Sequence, residues 1–321
     1  MENVTKTYVG VDVSKKQLDI YIHPIEKSIY FTNSKNGIDK LVTLLSTYKV
    51  EQIVCESTGG YENLMIDMLR EVGFKVWQVE PNRIKSFIRS KGKKAKTDKI
   101  DAKMIALFAV QEAPEYEQVN LCQNHKLLQS LTKRKRDLIA MITSEKLRLK
   151  NPNLAICANE ITVHINFMTK QVKKLERKIQ KLIDDDDDLS KKAEIIESVP
   201  GVGKTTAATI IAEMPELGKI ENKKAAALVG VVPYTRQSGQ YKGKAFISGG
   251  RGVIRSAIYM AALVASRYNP AMKEFYNRLC KTNKKPPKVA LVAIMRKLIV
   301  ILNVMIKKQA KWCYIGQKSG A

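Results

Sequence analysis

The last hundred residues of this chain, 222–321, contain a single acidic side chain, Glu274, against twenty Lys or Arg. The whole chain of 321 residues carries a formal net charge of +25. A merely soluble basic protein would spread that excess evenly. Its concentration in one region points to a polyanion partner, because Lys and Arg gain affinity by displacing counterions from phosphates. Cysteine is sparse and scattered, at Cys55, Cys122, Cys157, Cys280 and Cys313. With no C-x-x-C pair, a zinc site is not expected. An odd count and no apolar signal core fit a reducing cytoplasm. Histidine occurs three times, at His23, His125 and His164, so the basic region has none. The longest apolar run, 289–306, is broken by Arg296 and Lys297. It reads as an amphipathic helix and not a membrane span, so no membrane partner is expected.

What is present is enough apolar content, 45%, for sizeable cores. Residues 7–13 read as a strand, and Leu18, Ile20 and Ile22 alternate with polar neighbours to give a second. A third covers 28–32. Ile38, Leu41, Leu44 and Leu45 recur at helical spacing, 52–55 is a buried strand, 61–72 a helix and 74–79 a strand. Three strands, helix, strand, helix, strand is the order of an RNase H-like α/β domain, assigned to 1–115. From 116 to 190 strand signals vanish. Leu127, Leu128, Leu131, Leu138 and Ile139 mark one helix, and Ile165, Met168, Val172, Leu175, Ile179 and Leu182 another. The second set steps by three and four, the spacing of a coiled coil, dimerising or packed within its own chain. The acidic run 184–188 reads as a solvated hinge. A mainly helical third region, 191–321, contains a Gly-rich basic insert over 233–252.

Four carboxylates stand out. Asp12 sits near the end of the first strand and Glu56 at the end of the fourth, and in this strand order those strands lie side by side. Asp98 and Asp101 follow Thr97, a helix N-cap candidate, and a spacing of three puts them on one helical face. Taken singly, each could be an ordinary strand-end or helix-start residue. Together they would repel unless cations neutralised them, and all-oxygen ligands suit Mg²⁺, with Mn²⁺ as the alternative. Two ions roughly 3.5–4 Å apart can activate an attacking oxygen and stabilise a leaving one. Arg89, Lys91, Lys93, Lys94 and Lys96 precede the aspartate pair and are candidates to hold a phosphate backbone, or else form a solvated loop.

These residues resemble the DEDD-type transposases of bacterial insertion sequences, the bridge-RNA-guided recombinases. The matching segments are Gly10-Val11-Asp12, Glu56-Ser57-Thr58-Gly59-Gly60-Tyr61 and Lys96-Thr97-Asp98-x-x-Asp101. Downstream come Ile196-Glu197-Ser198-Val199-Pro200-Gly201-Val202-Gly203 and Ala227-Leu228-Val229-Gly230-Val231-Val232-Pro233. Arg236-Gln237-Ser238-Gly239 and Asn269-Pro270 complete the set. The resemblance implies a RuvC-like N-terminal domain, a coiled-coil connector and a C-terminal transposase domain. It carries the metal ligands onto Asp12, Glu56, Asp98 and Asp101, and the nucleophilic serine onto Ser238. Relatives often have Ser or Lys after this motif, where this chain has Gln240 and Tyr241. The resemblance also implies DNA donor and target, a non-coding guide RNA and a bacterial, nucleoid-associated location. Strand exchange between two duplexes calls for a homo-oligomer, a dimer of dimers.

A serine attacking a phosphodiester needs its proton removed and the phosphate held by cations. Arg236, Lys242, Lys244, Arg251 and Arg255 are the nearby cations. With no histidine close in sequence, the carboxylate–metal site is the remaining activator, in a composite site formed within or across subunits. Taken alone, Ser238-Gly239 is also a commonplace turn pair. Residues 200–205 fail the P-loop pattern, because Ser198 stands where glycine is required. A helix-hairpin-helix fits better, with backbone amides and Lys204 on a DNA phosphate. The competing readings are a Holliday-junction nuclease, which needs the carboxylates but no serine, and a scaffold with a decayed site. A tyrosine recombinase would need a C-terminal histidine. A small serine recombinase would need an arginine before Ser14.

Overall fold

The computed structural model describes residues 6–92, 98–112, 121–235, 237–238, 241–243 and 245–313, without the side chains at 98–100, 237–238 and 241–242. The chain divides into two compact units, Met1–Asn120 and Leu121–Ala321.

In the first unit β1 (Thr7–Val13), β2 (Gln17–His23) and β3 (Lys27–Thr32) form an antiparallel meander. α1 (Lys35–Leu45) leads to β4 (Val50–Glu56), which lies parallel to β1, and α2 (Asn63–Glu71) leads to β5 (Val76–Val79), parallel to β4. The sheet order is β3-β2-β1-β4-β5. This is the expected element order, and β1 and β4 are neighbours as the carboxylate argument required.

Strand alternation assigns the two faces. Val9, Val11 and Val13 join Leu18, Ile20, Ile22, Ile53 and Cys55 in a core closed by Ile38, Leu41 and Leu45 of α1 and Met65, Ile66 and Leu69 of α2. Burial there pushes the Cys55 thiol up to about 12, so it stays a protonated core residue. The opposite face is covered by α3 (Pro81–Ser90) and α4 (Asp98–Gln111). Trp77, Phe87 and Phe108 meet there with ring centroids 5.3 Å apart, and Val54, Val79, Ile84, Ile105 and Ala109 surround them.

The second unit is mostly helical. α5 (Gln123–Arg148) and α6 (Ala158–Asp184) are joined through a short 3-10 turn, Pro152–Cys157. They pack antiparallel, since Lys135 pairs with Glu176 at 2.9 Å and Glu145 faces His164 at 3.6 Å. The stripe Ile165, Met168, Val172, Leu175, Ile179 and Leu182 is the half-buried or buried side of α6. This pair therefore packs within its own chain. The acidic run has a local role: the Asp186 side chain accepts from the Asp188 and Leu189 amides and caps α7 (Asp187–Glu197).

A turn leads into α8 (Lys204–Glu213), followed by α9 (Asn222–Val229). The insert forms two small ribbons: β6 (Pro233–Tyr234) pairs with β9 (Phe246–Ile247), and β7 (Gln237–Ser238) with β8 (Tyr241–Lys242). α10 (Gly252–Tyr268), α11 (Pro270–Asn277), a π-helical turn Arg278–Thr282 and α12 (Pro287–Lys308) complete the unit. α12 is long and apolar enough to cross a membrane by length and composition. Ten of its residues are nevertheless buried in this unit, where it serves as the central core helix. Its one buried amide, Asn303, accepts from Gly218 N at 2.7 Å and donates to Ile220 O at 2.9 Å and Asn222 Oδ1 at 2.8 Å.

The insert is closed at its base by a backbone-on-backbone contact. Gly230 ends α9 at φ 73°, and a Cβ there would overlap Gly249 O and the Arg255 guanidinium. Arg251 N also donates to Leu228 O at 2.7 Å. Gly230→Ala meets both left-handed strain and a clash, and should cost about 3 kcal/mol, read from urea midpoints.

Candidate active site and nucleic-acid surface

Asp12 follows Val9, Gly10 and Val11 on β1, so alternation turns it to the face that α4 covers. Glu56 ends β4 on the same face, one residue past the Val11–Cys55 pair, and lies beside Asp12 across the parallel register. Both are partly buried. α4 crosses β1 at unusually short range, because a Cβ on Gly10 would overlap Ala102 O and the Ala106 backbone. Tyr8 packs against the cluster holding Ile105, Phe108 and Ala109. α4 therefore runs back along β1, with its N-terminal turn at the Asp12 end. That turn carries Asp98 and the partly buried Asp101. Lys103 sits over the Tyr21 ring at 5.2 Å and steadies the same turn.

The Asp98 side chain lies outside the described residues, as does Thr97. Among the described residues no three His, Cys, Asp or Glu side chains come close enough to hold a metal ion. The donors gathered at the β1 and β4 ends are carboxylates alone, a set that fits a hard divalent cation. A further carboxylate escaped the sequence reading. Asp19 stands directly opposite Asp12 in the β1–β2 register and accepts from Gln17 Nε2 at 2.8 Å. Its signal was available in the Leu18–Ile20 alternation, but only pairing register puts it beside Asp12.

The basic candidates separate into groups. Arg89 and Lys91 lie at the end of α3, with the Lys91 ammonium over the Phe87 ring at 5.3 Å. Lys93, Lys94, Lys96, Arg236 and Lys244 lie outside the described residues. Arg251 donates to Glu213 O at 2.6 Å and pairs with the buried Glu216 at 2.6 Å. Arg255 donates to Gly249 O and, at 3.3 Å, to Val229 O. These two guanidinium groups hold the base of the insert. Lys204 opens α8 and lines a cavity of about 900 Å³ with Lys135, Arg136, Lys173 and Arg177. The last four come from α5 and α6, and only the folded arrangement joins them to Lys204.

Ser238 is the innermost paired residue of the insert, opposite Tyr241 in the β7–β8 ribbon, and Lys242 is the next residue along β8. Their side chains are not described. The turn over 198–203 joins α7 to α8 in a helix–turn–helix connection. Gly201 is pressed against the Ala265 backbone, while Gly203 faces open space. Asn269 is fully buried, caps α11 through Met272 N at 3.3 Å and donates to Pro200 O at 3.4 Å. The Asn269-Pro270 motif thus positions this turn from behind.

Two carboxylates on adjacent parallel strands, a helix whose first turn carries two more at that end of the sheet, and a basic helical unit form an arrangement suited to a nucleic-acid phosphate substrate. Residues 9–154 match a DEDD-type transposase family model, and residues 193–277 match the model of the transposase IS116/IS110/IS902 family. The chain belongs to the IS110-type transposase and recombinase family, whose members act on DNA. It is similar to the pilin gene-inverting protein of Moraxella lacunata and to that of Moraxella bovis. Each is 28% identical over 320 residues, covering 95% of this chain and 97% of the relative.

Proposed function

We propose that this protein is a DNA recombinase that cuts and rejoins strands through a metal-dependent DEDD site and a serine nucleophile, guided by a non-coding RNA. The observation that carries the reading is the shared face of Asp12 and Glu56, with the Asp98–Asp101 turn of α4 running to that end of the sheet. The strand order β3-β2-β1-β4-β5 supports an RNase H-like assignment for this unit. In this reading Asp12, Glu56, Asp98 and Asp101 hold Mg²⁺, with Mn²⁺ able to replace it. The metal supplies charge neutralisation at the scissile phosphate.

Ser238 Oγ bonds to phosphorus as a sugar oxygen leaves, and the serine proton ends on that departing oxygen as a free sugar hydroxyl. Attack by a hydroxyl of another strand then rejoins DNA and frees the serine. Lys204, Lys173 and Arg177, with Arg89, Lys91, Lys93, Lys94, Lys96, Arg236, Lys242 and Lys244, hold phosphate backbone, while Lys135 and Arg136 are paired with Glu176 and Glu213. The name of the relatives, pilin gene-inverting protein, supports inversion of a DNA segment as the outcome. Exchange of strands between two duplexes calls for a dimer of dimers as the working assembly.

Denaturing electrophoresis after incubation with DNA, guide RNA and Mg²⁺ tests the serine. A covalent protein–DNA band is expected from the wild type and is lost in Ser238→Ala. Retention of that band by Ser238→Ala would sink the assignment. Cleaved 5′-phosphate ends with no adduct in the wild type would mark a structure-selective nuclease instead.

A further inference from the structure

We infer that Glu62 is a positioning residue for the carboxylate site: it fixes the loop that follows β4 and thereby sets where Glu56 stands. The inference rests on the carboxylate reading of Asp12 and Glu56.

Glu62 is 1% exposed, yet it lies at the start of a surface helix with a strongly polar loop before it. Its carboxylate gathers four donors. Thr58 Oγ1 at 2.7 Å and Gly60 N at 2.9 Å reach Oε2, while Gln78 Nε2 at 2.6 Å and Ser57 Oγ at 3.3 Å reach Oε1. Burial pushes the Glu62 carboxyl up, but the Thr58 hydroxyl and backbone donors outweigh it, so the group lies below the usual carboxylate range. The donors named are neutral. A buried carboxylate held this way is costly unless each bond is made. Three of them come from the residues directly after Glu56 and one from β5, so the carboxylate clamps the loop to the sheet.

The loop has few other restraints of its own. Gly59 and Gly60 take φ of 83° and 124°, conformations that side chains would oppose. Ser57 N continues the β4–β5 ladder to Val79 O at 3.0 Å. On the outer side Asn33 Nδ2 donates to both Ser14 O and Tyr61 O at 2.9 Å, tying the turn after Asp12's strand to the loop after Glu56's strand. Glu62 thus ties the loop after β4 to β5, and Asn33 ties the same loop to the turn after β1, so both strand ends that carry the candidate ligands are held through this one loop. Carboxylates near a metal that act through its ligands change metal affinity without touching the metal.

Glu62→Gln keeps the shape but offers one acceptor oxygen, and its amide opposes two of the donors. DNA cleavage by Glu62→Gln, Glu56→Gln and wild type is measured across a Mn²⁺ titration. Mn²⁺ binding by paramagnetic resonance and thermal melting accompany it. The half-saturating Mn²⁺ for both binding and cleavage should rise about tenfold in Glu62→Gln, with the rate at saturating Mn²⁺ within about threefold of wild type. A half-saturating concentration within about twofold of wild type, while Glu56→Gln loses metal dependence, overturns the positioning role alone. A loss that merely tracks the unfolded fraction and leaves Mn²⁺ half-saturation unmoved overturns it too. Unchanged cleavage and Mn²⁺ binding in Glu56→Gln overturns the carboxylate site itself.

Discussion

Asp12→Asn and Glu56→Gln are each expected to leave a folded protein whose DNA cleavage falls about a thousandfold. Amides of the same shape keep the packing around β1 and β4. Removing one of several neighbouring negative charges relieves repulsion, so the melting midpoint without metal should stay level or rise. Wild-type protein should gain stability as Mg²⁺ is added, because an ion that binds only the folded state shifts the unfolding equilibrium. That gain should vanish in both variants. Scanning calorimetry with and without Mg²⁺, beside a cleavage assay, checks both halves. Full cleavage by either variant would remove it from the site.

Gly10→Ala is expected to be more damaging than its single methyl suggests. The added Cβ would meet backbone atoms of Ala102 and Ala106, which cannot rotate away as a side chain would. α4 must lift from the sheet or β1 must bend. The expected cost is about 3 kcal/mol, a melting midpoint about 10 °C lower for a unit of this size. Because α4 carries Asp98 and Asp101, cleavage should also fall in the fraction that remains folded. A wild-type melting curve for Gly10→Ala would refute the close crossing.

Alternation and helical spacing made much of this legible. Val9, Val11 and Val13 announce a strand with one core face, and Ile38, Leu41 and Leu45 announce the helix that covers it. Asp12 and Glu56 stood out because each is a carboxylate directly after an apolar stretch near the end of its strand. What stayed hidden depends on contacts between distant segments. Asp19 matters only through its register with Asp12. Nothing local marks Glu62, because its donor Gln78 lies sixteen positions on. Arg251 and Arg255 looked like free cations in a basic region, but the fold turns both inward onto Glu216 and the carbonyls of 213, 229 and 249. Charge composition locates a polyanion-binding region without saying which charges are spent inside it.

The alternation of β1 has one more consequence. Residues 9, 11 and 13 face the core under α1 and α2, while Tyr8 and Gly10 seat α4 and Asp12 faces the site, so one seven-residue strand serves both sides of the sheet. Inserting or deleting one residue there would exchange the two sets, sending valines to the α4 face and the aspartate into the core. The length of the strand therefore ties the site to the core, and neither can shift along the chain without the other.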